Sequence, residues 1–226
     1  MADENPDDNN FEFIKFLPEG DQKTKSSRDY TGRGQAKYAN NEIYEGEYVD
    51  GKRNGKGKYN YANGDLYFGD FINNVKHGIG KLTYKEKGEY FGQWENGKRH
   101  GEGIFTFPNK DQYSGWWAFG KKEGNGTYIY NDTGMRLVGQ WKDNKFVSGR
   151  WVLPNGTYYE GEFDNNKPNK VGIWYFKNGN KVEGTYNQKI IPNEDSEDKK
   201  LNIEMKWASN GYLYQNADLV NAHEKF

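Results

Sequence analysis

The chain has 226 residues, of which 29 are glycine and 17% aromatic, with 32 basic and 33 acidic side chains and no cysteine. The lack of cysteine excludes disulfides, thiolate metal sites and a thiol nucleophile, and balanced charge with abundant rings argues against a disordered chain. Glycine stands well above its usual ~7%, so a fold built from glycine and tyrosine rather than from leucine and valine is expected.

The first ten residues, MADENPDDNN, are acidic and lack the apolar stretch of a secretory leader. Phe11, Phe13, Ile14, Phe16 and Leu17 then form an apolar group that predicts a short docked segment. Gly32-Arg33-Gly34 reads as the tail of a degenerate repeat. Residues 1–43 are thus expected to hold an acidic tail, a docking segment and a partial repeat.

From Tyr44 onward the glycines are periodic. Tyr-x-Gly or a near variant opens at Tyr44, Tyr67, Tyr90, Tyr113, Leu137, Tyr159 and Val182, at spacings of 23, 23, 23, 24, 22 and 23 residues. A fixed period of this kind sets architecture before any local pattern does. Inside each repeat the pattern has period two. Tyr44, Gly46 and Tyr48 alternate with Glu45, Glu47 and Val49, while Gly55, Gly57, Tyr59 and Tyr61 alternate with Lys56, Lys58 and Asn60. Alternation predicts strands with one special face, and the glycine-rich segments 51–55 and 63–65 predict the turns between them.

The fold expected is all-β: an extended single-layer antiparallel sheet of tandem β-hairpins over 44–186, with short capping segments at both ends. Rings lying over bare glycine backbone would replace a two-layer core. In repeat five Val147-Ser148-Gly149 stands where Gly-x-Gly is expected, and in repeat six Lys170 takes the first glycine position after Pro168. Altered pairing is expected there. Beyond 186 the sequence predicts a charged loop, a further strand through Leu201, Ile203, Met205 and Trp207, and a short helix over 217–225 behind Asn216.

Several motifs resemble chemistry and are explained by the repeat. Gly-x-Gly recurs at Gly55, Gly78, Gly101 and Gly124 without the helix a dinucleotide site needs. His77 and His100 occupy equivalent turn positions and read as polar turn residues, and no nucleophile–base pair can be assembled. The expectation is a non-enzyme without cofactor or metal. Lys52-Arg53, Lys98-Arg99 and Lys121-Lys122 recur at turns, read either as solvated charge or as an edge for an anionic partner. No polybasic cluster and no apolar run of about 20 residues appears, so a membrane partner is not expected. Nor is nucleic acid.

Two sets of candidate partner-binding residues emerge. The first is the aromatic face: Tyr44, Tyr48, Tyr67, Phe71, Tyr90, Trp94, Tyr113, Trp117, Trp141, Tyr159 and Phe163. The second is a patch on the otherwise polar reverse face, where Phe68, Phe91 and Trp116 replace charged residues. That patch reads either as a contact surface or as a site covered by a terminal segment.

The frame Y-x-G-x-Y-x-x-G-x-x-x-G-x-G-x-Y-x-Y resembles the MORN repeat, six times in register. The further layout is similar to the MORN-repeat subunits of the radial spoke head of motile cilia. It comprises the acidic start, the block 44–181, Asn166-Lys167-Pro168, the charged segment 194–200 and Lys206-Trp207-Ala208. The resemblance implies a structural role in the cytoplasm, cytoskeleton and ciliary or flagellar axoneme. The partners it implies are other spoke-head subunits, a second copy of the chain and the central-pair projections, with dynein regulated through that contact. The alternative is a MORN scaffold at a membrane or cytoskeletal junction, binding anionic lipid or another protein.

Overall fold

The computed structural model describes residues 11–191 and 202–214. The helix expected over 217–225 and the charged segment 194–200 lie outside the described residues. Among those described, every element is a strand, and the strands belong to one open antiparallel sheet of 17. Cα proximity divides the chain into two compact units. One runs up to Lys110 and includes Trp116–Lys121, and the other takes Asp111–Gly115 and the residues from Lys122 onward.

The first unit begins with β1 (Glu12–Lys15), β2 (Gln22–Thr24) and β3 (Gly32–Lys37). Three hairpins follow: β4 (Ile43–Val49) with β5 (Lys52–Asn60), β6 (Leu66–Ile72) with β7 (Val75–Tyr84), and β8 (Gly88–Glu95) with β9 (Lys98–Thr106). The strand β10 (Gln112–Ala118) contributes to both units. The second unit continues with β11 (Lys121–Ile129), β12 (Arg136–Lys142), β13 (Lys145–Val152), β14 (Tyr158–Asp164), β15 (Lys167–Tyr175), β16 (Lys181–Ile191) and β17 (Asn202–Tyr214).

Register explains the glycines. Gly46 faces Gly57, which faces Gly69, which in turn faces Gly80, and Gly92 faces Gly103. Each such row is a bare strip across the strands, and a tyrosine lies on it. A Cβ added to Gly57 would come within 2.3–2.5 Å of Tyr44, and one on Gly80 within 2.3–2.6 Å of Tyr67. The ring takes the volume a side chain would need. In the first three repeats the tyrosine is anchored by its hydroxyl, which donates to the carbonyl three residues on: Tyr44 to Glu47 at 3.0 Å, Tyr67 to Asp70 at 3.0 Å and Tyr90 to Gln93 at 2.9 Å. The tryptophan two strand positions later is held in the same manner, Trp94 Nε1 donating to Gly80 O and Trp117 Nε1 to Gly103 O.

The N-terminal segment completes the pattern from outside the repeat. β1 pairs antiparallel with β3, Phe13 opposite Ala36 and Lys15 opposite Gly34. This is the register of Tyr44 opposite Tyr59 and Gly46 opposite Gly57. Phe13 is fully buried, and a Cβ on Gly34 would meet its ring at 2.7 Å. The partial repeat at Gly32 thus has a first strand after all, supplied by β1. In the second unit β17 pairs along β16, and Trp207 lies over Gly184.

The irregular repeats are accommodated locally. Gly139 faces Gly149, both at positive φ, with a register shift between Gln140 and Trp141. Lys170 adopts φ 63°, the left-handed conformation that Gly55, Gly78, Gly101 and Gly124 supply in the other repeats. A side chain there costs about 1–2 kcal/mol.

Candidate interaction surface

The two faces of the sheet differ in what they leave open. All eleven rings expected to form an open aromatic stripe are buried. The correction has a simple cause: the rings cover one another edge to face, as Tyr67 does with Phe71 and Trp94 at 5.1 and 5.4 Å. Such pairs add about 0.5–1.5 kcal/mol beyond area burial.

Basic side chains close over them. Arg53, Lys76, Arg99 and Lys122 follow one another at intervals of 23 residues. The Arg53 guanidinium lies 5.0 Å from the Tyr59 ring, the Lys76 ammonium 4.7 Å from Trp94, Arg99 4.3 Å from Trp117 and Lys122 4.4 Å from Trp141. The second member of each basic pair is therefore neither simple solvated charge nor a free basic edge. Burial lowers the pKa of Lys76 and of Arg99, because it disfavours the charged form. Burial likewise holds the hydroxyls of Tyr44, Tyr67, Tyr90 and Tyr113 well above the ordinary phenol range and pushes Tyr61 up to about 12. In repeats five and six Phe146 and Pro168 take the place of the basic lid. Phe146 is fully buried, 4.6 Å from the Phe163 ring. Sequence reasoning missed these lids, and only the 23-residue recurrence of Arg53, Lys76, Arg99 and Lys122 could have exposed them.

The reverse face keeps its apolar residues in the open. Phe68, Phe91 and Trp116 are 61%, 55% and 49% exposed. Lys58 faces Phe68, which faces Lys81, which faces Phe91, which faces Ile104. This makes a cross-strand row in which Lys58 and Lys81 alternate with Phe68 and Phe91 and which ends on the apolar Ile104. Lys81 is paired with Glu89 at 2.8 Å. Trp116 stands where the preceding repeats carry Asp70 and Gln93, whose side chains accept from the amides of Ile79 and Glu102. At that position the chain holds a large exposed ring in place of a turn-supporting acceptor. Phe119, 73% exposed, was not anticipated. It sits at a turn with φ 50°, in the place of Asp50, Asn73 and Asn96, and its ring packs on His100 at 5.9 Å.

The histidines fit the polar reading. His100 Nε2 lies 3.2 Å from Glu95, and among the described residues no group of three metal-type ligands occurs. Among those residues, too, no helix is long and apolar enough to cross a membrane.

The MORN repeat model matches residues 44–66, 67–88, 90–112, 113–135, 138–158 and 159–181, so the chain belongs to the MORN-repeat family. MORN-repeat proteins are generally non-catalytic interaction scaffolds, and nothing among the described residues points to enzyme activity. No curated protein gives a significant match. Among solved structures, the chain is similar to the Drosophila melanogaster SAS-4 TCP domain in complex with a proline-rich motif of Ana2. That match has 16% identity and a TM-score of 0.47, covering 77% of this chain and 89% of the other. It is also similar to the TCP10 domain of Danio rerio CPAP, at 12% identity and a TM-score of 0.31, covering 75% and 92%.

Proposed function

We propose that this chain is a structural scaffold of the ciliary axoneme, a subunit of the radial spoke head. It assembles with other head subunits and a second copy of itself and contacts the central-pair projections. The observation that carries the scaffold role is the exposure of Phe68, Phe91 and Trp116 on a face that is otherwise largely polar. Large exposed rings grouped on one face mark a contact with another macromolecule. Support for the spoke head comes from sequence layout. The acidic start, six repeats, Asn166-Lys167-Pro168 and Lys206-Trp207-Ala208 follow the order seen in radial spoke head protein 1. Adsorption to anionic lipid has weaker support, because Arg53, Lys76, Arg99 and Lys122 are folded over rings rather than presented. In ciliated cells the tagged chain should enter motile cilia and stay with the axoneme after detergent extraction. A wholly soluble cytoplasmic pool would overturn the assignment.

A further inference from the structure

One ring position in the first unit is filled by an aliphatic side chain. In repeats one, three and four the residue fifteen positions after the opening tyrosine carries a ring on the aromatic face: Tyr59, Phe105 and Tyr128. The surroundings of that ring recur. Its neighbour two residues on packs against it at a tilt, Tyr59 with Tyr61 at 4.4 Å, Phe105 with Phe107 at 4.6 Å and Tyr128 with Tyr130 at 4.8 Å. The basic lid lies over it, Arg53 at 5.0 Å, Arg99 at 5.4 Å and Lys122 at 5.2 Å. The next tryptophan lies tilted beside it, as Trp117 does Phe105 at 6.3 Å and Trp141 does Tyr128 at 6.2 Å. Where the ring is a tyrosine, its hydroxyl donates to a carboxylate, Tyr59 to Glu42 at 2.6 Å and Tyr128 to Asp111 at 2.8 Å. Where it is Phe105, the acid's position is taken by Gly88.

Repeat two breaks this correspondence. It has Leu82 at the ring position yet keeps the acid, Asp65. Asp65 Oδ1 accepts from the amide of Lys85, as Asp111 Oδ1 does from Asn131, while Oδ2 accepts from the neighbouring Asn63 amide in place of a tyrosine hydroxyl. Leu82 borders a solvent-open cavity of about 280 Å³ whose walls also include Asp65, Lys76, Tyr84, Trp94 and Arg99. The acceptor, the lid, the neighbouring ring and the tryptophan of a tyrosine site are all present without the tyrosine.

We infer that this cavity is a binding site for a phenol ring, the side chain of a tyrosine presented by a partner polypeptide. The ring enters between Tyr84 and Trp94 beneath the Lys76 ammonium, and its hydroxyl donates to Asp65 Oδ2 in exchange for Asn63. The probe is N-acetyl-L-tyrosinamide, titrated into the full chain while the Trp94 indole N–H resonance is followed by NMR. A saturable shift is expected, with N-acetyl-L-phenylalaninamide binding about tenfold more weakly for want of the hydrogen bond to the carboxylate. The Leu82→Tyr and Leu82→Phe variants place a ring in the site from within. Each should fold, melt at or above the parent temperature and lose the shift. No saturable shift in the parent chain, equal binding of the two amides, a shift surviving in a folded variant, or failure of both variants to fold would each overturn the inference.

Discussion

A single glycine methyl tests the packing most sharply. A Cβ on Gly80 would sit 2.3 Å from the Tyr67 hydroxyl oxygen and 2.5 Å from its ring, and Tyr67 is fully buried and hydrogen-bonded in place. Gly80→Ala should therefore cost about 1–3 kcal/mol by overpacking, read as a lowered denaturant midpoint, whereas Gly120→Ala, with open space around it but φ 88°, should cost less. The buried phenols also set an alkaline limit. Their native pKa values are raised, Tyr61 and Tyr159 to about 12, so the neutral form is favoured in the fold. The stabilisation is complete below the ordinary phenol pKa of about 10 and is lost as pH climbs through about 12. Lys76 and Arg99 are shifted downward by burial and work in the opposite direction, but they are two groups against many tyrosines. Tyrosinate absorbance and loss of circular dichroism should rise together in that window. If the tyrosines ionised near pH 10 with the fold intact, they would not be buried as described. The ring–glycine alternation was legible because a period of two assigns residues to faces. The basic lids were not, because a Lys-Arg pair at a turn reads as solvated charge until register places it over a ring.

Among the elements, β1 carries the clearest consequence. It supplies from outside the repeat the ring that Gly34 needs, so Phe13→Ala should cost about 3–5 kcal/mol and speed amide exchange along β3 more than along β7. Equal effects on both strands would deny β1 its capping role. Lys170 offers the converse case. Its left-handed backbone costs about 1–2 kcal/mol, and its pair with Glu162 at 2.7 Å is solvent-screened and offsets little of that. Lys170→Gly should thus be neutral to stabilising by about 1 kcal/mol in chemical denaturation, and a clear loss would contradict that balance. The hairpins were readable from sequence because every repeat restates them. β1 was readable only as an apolar segment of unknown docking place, since nothing in Phe11–Leu17 names Gly34 as its partner. Nor does the sequence pattern show that β17 extends to Tyr214.

At the scale of the whole molecule, the rings of one face are buried by one another, whereas Phe68, Phe91 and Trp116 on the other are exposed. The sequence located Phe68, Phe91 and Trp116 on that second face because they interrupt an otherwise charged pattern. Phe119 escaped notice because turns carry no face periodicity. Assembly through the reverse face is the central claim, and it separates from stability because these rings contribute little to the core. The direct measurement is axonemal retention of the double variant Phe68→Asp, Phe91→Asp beside the parent chain, with thermal melting recorded for both purified proteins. The expected result is a detergent-resistant parent and a variant that melts alike yet appears in the soluble fraction. Equal retention of the two would contradict the claim.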